Sequence, residues 1–110
     1  MDPIQYCSLV SVPKNMEEFN ATLTRASAPA SWSEGLRAMW FDAKGDWESS
    51  HNIAQDLHTA NGSWIHAYLH RKEGDRFNAG YWYGRAGKKF PAITLEEEQR
   101  QLVEYFLLTG

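Results

Sequence analysis

Two histidines separated by one helical turn, His66 and His70, are the residues in this chain whose type and spacing come closest to a chemical motif. At i and i+4 their imidazoles share a helix face and can reach one metal ion. Zinc needs further ligands, and the neighbouring sequence offers Glu73, His51, His58 or an acid on an adjoining helix. With that set incomplete, the expectation is no resident metal and no cofactor. The alternative role for the pair is structural: both flank an apolar stripe of Ile65, Tyr68 and Leu69 and would hydrogen-bond locally or face solvent.

A second group lies just downstream. Asn78, Tyr81 and Arg85 fall on one side of a helix, so an amide, a phenol and a guanidinium could meet a ligand together. Arg85 suits a carboxylate or phosphate because its planar fork donates two parallel hydrogen bonds. Here the structural role would be an ion pair between Arg85 and Glu97 or Glu98, with Asn78 capping a turn. His66, His70, Asn78, Tyr81 and Arg85 together form the expected ligand-binding site. The stretch from Arg71 to Lys89 also carries six basic residues against Glu73 and Asp75, although the whole chain has a net charge of −3.

Nucleophilic catalysis finds no support. Cys7 has no basic neighbour to lower its pKa and no cysteine partner, and no serine sits in a Gly-x-Ser-x-Gly elbow. Gly80, Gly84 and Gly87 lie in a helical pattern, unlike a phosphate loop, and Gly80 and Gly84 are expected to permit close helix packing. No catalytic residue is assigned.

The elements that must position these side chains are helices. Length and composition, 110 residues with 43% hydrophobic and 23% charged, predict one globular domain over residues 1–110. After an apolar arm with Ile4, Tyr6, Leu9 and Val10, the spacing of Met16, Phe19, Leu23 and Ala26 predicts a helix over about 15–27. Ser31 with Glu34 reads as a capping box for a second helix carrying Leu36, Met39, Trp40 and Ala43. Gly45 ends it and Asp46 caps a third, which bears Trp47, Ser50, Ile53, Ala54 and Leu57 and is expected to stop before Asn61-Gly62. Asn61 or Ser63 would cap the fourth. Gly74-Asp75 leads into the fifth, and Thr94 with Glu97 opens a last helix over about 95–108. Trp40, Trp47, Tyr68, Leu69, Trp82 and Tyr83 are expected to be largely buried. The last helix is apolar over a wide arc and is expected to pack between the helix pairs and the N-terminal arm.

The offset that carries Gly45 onto Gly74 also carries Leu36 onto Ile65, Ala38 onto Ala67 and Asp46 onto Asp75, with Ser50 meeting Ala79. With Ala67-Tyr68-Leu69, Gly74-Asp75, Asn78-Ala79, Tyr81-Trp82-Tyr83 and Arg85-Ala86, the chain resembles the tetratricopeptide and Sel1-like repeat families, in two imperfect copies over about 32–60 and 61–90. The stretch from Met39 to Phe90 is similar to a group of small bacterial proteins of this kind. The resemblance implies an all-α bundle of five to six helices built on helical hairpins. It also implies a non-catalytic module that binds a protein or peptide. The alternative is a small-ligand protein or enzyme, binding an anion or metal through the His/Tyr/Arg cluster of the fourth and fifth helices. Net acidity gives no pull towards nucleic acid, no apolar run is long enough for a membrane, and the lone cysteine fits a reducing compartment. The expected state is a cytoplasmic monomer or weak dimer.

Overall fold

The computed structural model describes residues 12–109; the apolar arm and Cys7 lie outside the described residues. Among those residues there is no strand. Six α-helices follow one another: α1 (Met16–Ala21, continued by a 3-10 turn at Thr22–Thr24), α2 (Glu34–Ala43), α3 (Trp47–Asp56), α4 (Ala60–Lys72), α5 (Arg76–Arg85) and α6 (Leu95–Thr109). The fold is all-α, as the hydrophobic periodicity predicts.

Two tight turns set the architecture. Gly45 and Gly74 have φ of 85° and 92°, a conformation that suits a residue without Cβ. In each, the following aspartate donates its backbone N–H across the turn, Asp46 to Phe41 and Asp75 to His70, both at 2.9 Å. Each aspartate then caps the next helix, Asp46 accepting from Ser49 N and Asp75 from Asn78 N. Turns this short fold α2 against α3 and α4 against α5 as antiparallel hairpins. Ser50 and Ala79, each four residues past the capping aspartate, are both fully buried.

Helix α2 packs on α3, α3 on α4 and α4 on α5, and α6 runs back to cover α1, α2 and α4. The core between them holds Phe19, Leu36, Met39, Trp40, Ile65, Tyr68, Leu69, Tyr83, Leu102 and Val103. Two buried carboxylates tie it together. Asp42 accepts from Tyr68 Oη at 2.8 Å, Lys72 Nζ at 2.7 Å and Gln99 Nε2 at 2.8 Å. Glu98 accepts from Arg71 Nη1 at 2.8 Å, Trp64 Nε1 at 3.2 Å and Tyr83 Oη at 2.6 Å.

Several local expectations are corrected. Helix α1 is shorter than 15–27, ending in the 3-10 turn where Thr22 Oγ1 hydrogen-bonds back to Phe19 O. The cap of α2 is Ser33, which accepts from Leu36 N, and not Ser31. Helix α3 ends at Asp56, and Asn61-Gly62 lies inside α4, whose cap is Thr59. Gly62 is there for close approach: a Cβ would run into the Leu57 backbone. The helix contact expected at Gly80 and Gly84 is absent, both facing open space, while the tight approach occurs at Gly35 beneath the Phe106 ring. Thr94 does cap α6, but Glu97 pairs with Arg100 and does not reach back. Trp47 and Trp82 are half-buried and line a cluster of rings.

Candidate functional site

The cluster grows from three helices. His66 and His70 project from one face of α4, as their spacing requires, and ring stacking brings them together with centroids 4.8 Å apart. Because residues 57–59 join α3 to α4 so briefly, antiparallel packing sets His51 opposite His66, and their Nε2 atoms lie 2.9 Å apart. One ring nitrogen from each of His51, His66 and His70 falls within 4.8 Å of the other two. Of the third-ligand candidates named above, His51 is the one that joins the pair. His58 follows the end of α3 and stands outside the trio.

Aromatic walls fix the rings. Trp47, one turn before His51, stacks on it at 4.7 Å and 11°, and its indole N–H donates to Leu69 O at 2.8 Å. Trp82 of α5 stacks on His66 at 4.0 Å and 20°. Glu73 takes the fourth side, its Oε2 lying 2.6 Å from His70 Nδ1. A carboxylate there holds the proton on Nδ1, leaves Nε2 with its lone pair and makes it a stronger donor to a cation.

The electrostatics favour neutral rings. His66 is 6% exposed, and burial first, then His51 and His70, pushes its pKa down to about 4. His51 is shifted in the same direction, by burial and then by His70, with Glu73 opposing. Metal-binding imidazoles must be deprotonated, so neither ring needs to lose a bound proton near neutral pH.

A cavity of about 280 Å³ adjoins the cluster through His66 and is bounded by the end of α3, the start of α4, and Trp82 and Arg85 of α5. Arg85 lies over the Trp82 ring at 5.7 Å and the Tyr81 ring at 6.0 Å. The expected pairing of Arg85 with Glu97 or Glu98 is overturned: Glu98 is taken by Arg71 and Glu97 by Arg100. Asn78 serves the turn, its Nδ2 donating to Asp75 at 2.6 Å, and Tyr81 is 55% exposed on the outer side of α5. The basic stretch is largely consumed by structure, since Arg71 and Lys72 hold the buried acids while Arg76 and Lys88 cover Phe90 and Trp64. Thus the five expected ligand residues divide. His66 and His70 sit in the cluster and Arg85 lines the adjoining cavity, whereas Asn78 and Tyr81 face elsewhere.

Sequence reasoning assigned Trp47 and Trp82 to the core and missed them as walls. A signal was present: His66 and Trp82 are equidistant from Gly74, so an antiparallel hairpin about that glycine brings them level. No family model matches this chain, and neither a curated protein nor a solved structure does.

Proposed function

We propose that the chain binds a divalent transition-metal ion of the zinc class on His51, His66 and His70. The observation that carries this reading is the convergence of three imidazole nitrogens from two helices within 4.8 Å. Zinc–imidazole bonds of about 2.0–2.1 Å in a tetrahedral site hold their nitrogens about 3.4 Å apart. The cluster is of that size: the Nε2 atoms of His51 and His66 are 2.9 Å apart and all three ligand nitrogens lie within 4.8 Å of one another. The Nε2 atoms of His51 and His66 hydrogen-bond to each other, a contact that a bound ion would replace. Glu73 behind His70 supplies the outer-shell carboxylate that metal-binding histidines commonly use.

Thermal unfolding with and without zinc tests the proposal. At a free zinc concentration of about 100 times Kd, the wild-type chain gains about 2.7 kcal/mol, and His66→Ala loses that gain. Equal stabilisation of the wild type and a His51→Ala/His66→Ala/His70→Ala variant contradicts it.

One observation favours a second reading, a tetratricopeptide-like module that docks a protein or peptide. Phe77 and Tyr81, 88% and 55% exposed, stand one turn apart on α5, beside the open surface at Gly80 and Gly84. Capture of a protein partner that Phe77→Ser abolishes, with zinc binding unchanged, would support it.

A further inference from the structure

Three protein ligands leave a tetrahedral ion one position for something else, and catalytic zinc sites are built this way. Of the three imidazoles, His66 alone lines the adjoining cavity of about 280 Å³, which is the nearest enclosed space from which an occupant of that position could reach the ion. No carboxylate lines it. Its polar surface comes from Gln55, His58, Thr59, Ser63 and Arg85. Thr59 Oγ1 accepts the N–H of Gly62, which leaves its O–H as a donor into the surroundings. The second ring nitrogen of His66, Nδ1, has no hydrogen-bond partner among the described residues.

Arg85 gives the cavity its charge. It is exposed and, like Arg25 and Arg76, has no acidic partner among the described residues, whereas Arg37, Arg71 and Arg100 each have one. Its guanidinium carbon lies 5.7 Å from the centre of the Trp82 ring and 6.0 Å from that of Tyr81, and a planar fork of this kind can donate two parallel hydrogen bonds to a bidentate acceptor. Trp82 in turn stacks on His66, so one ring joins the free cation to the imidazole cluster.

Building on the metal reading above, we infer that this cavity is a subsite for a small oxyanion, a carboxylate or phosphate, held by Arg85 and reaching the open position of the ion on the three histidines. The ligand class is therefore a small anion that can donate an oxygen to a metal, and the Arg85 charge disfavours a cationic one.

Cobalt(II) loaded on the 110-residue chain provides the readout, because its visible absorption changes when a ligand enters the coordination sphere. The cobalt titration is run first, without anion. Inorganic phosphate and benzoate are then titrated separately into the loaded wild type, Arg85→Ala and Arg85→Lys. The expected result is a saturable spectral change with at least one anion, weakened about 10- to 100-fold in Arg85→Ala, with cobalt affinity unaltered. Arg85→Lys, which keeps the charge but not the fork, falls between. A response to benzoate and not to phosphate identifies a planar carboxylate as the ligand; the reverse identifies phosphate. Equal anion affinity in Arg85→Ala, or a cobalt spectrum that neither anion alters, overturns the subsite while leaving the metal centre standing. If the wild type takes up no cobalt in the first titration, the metal reading fails and the subsite falls with it.

Discussion

The buried acids and the clustered imidazoles are built from similar materials and end in opposite states. Asp42 and Glu98 each accept from a tyrosine and a cation, with a third donor from Gln99 or Trp64, so no further partner is needed. His51, His66 and His70 crowd three bases together, with the carboxylates of Glu73 and Asp75 beside His70 at the edge. A saturated polar cluster specifies how helices pack, because removing any member leaves a charge or donor stranded. The imidazole cluster instead holds itself with one hydrogen bond between His51 and His66 and one between His70 and Glu73, and its other ring nitrogens have no partner among the described residues, which is the condition for binding something from outside.

The contrast predicts the largest effect at Glu98. Glu98→Ala leaves Arg71 without its carboxylate and also strands Tyr83 and Trp64, so urea denaturation should show a loss of about 3–5 kcal/mol. Zinc binding by whatever fraction remains folded should be unchanged.

A second test uses pH on the metal-free chain. The folded pKa of His66, about 4, lies below the ordinary 6.5, so the unfolded chain takes up the proton first. Stability should therefore be level above pH 6.5, fall as pH drops towards 4, and flatten below for this group. His51 adds to the same slope, since its shift has the same sign. Chemical denaturation from pH 8 to 4 measures it, and replacing His66 with a residue that does not titrate should shrink the slope.

Glu73→Ala separates the two kinds of cluster again. It removes the partner of His70 from a surface position, so stability should change by less than about 1 kcal/mol while zinc affinity falls about 10- to 100-fold. A large loss of stability with unchanged zinc affinity would place Glu73 with the structural acids.

The smallest effect is expected at Ser50. Its hydroxyl is fully buried with no hydrogen-bond partner among the described residues, at the position where the second hairpin has Ala79. Ser50→Ala should raise stability by about 1 kcal/mol in the same denaturation assay.

Much of the framework was legible because it is written in local signals. Gly45-Asp46 and Gly74-Asp75 announce both turns, and the apolar stripes of α2 and α4 announce what they bury. The end of α3 was not legible, because Asn61-Gly62 has the composition of a turn. Its glycine answers a tertiary demand, the approach of α4 to the Leu57 backbone, that no local pattern records. The length of α1 failed for a related reason, since the apolar spacing of Leu23 and Ala26 continues past the 3-10 turn that ends the helix. For the site, the pair His66 and His70 follows from helical spacing alone. The choice of His51 over His58 depends on where the α3–α4 connection falls: with that connection at residues 57–59, His51 and His66 are level, whereas the expected boundary before Asn61 misaligns them. The assignment of Arg85 to an acid failed because Arg71 and Arg100, from other elements, claim both candidates first.

The central claim is that the three imidazoles form one metal centre, and zinc K-edge X-ray absorption of the chain loaded with one equivalent tests it most directly. The account predicts a shell of three imidazole nitrogens at about 2.0–2.1 Å with one further light ligand, reduced to two imidazoles in His51→Ala. A spectrum of hydrated zinc without imidazole scattering, or an imidazole shell that His51→Ala leaves intact, would contradict it.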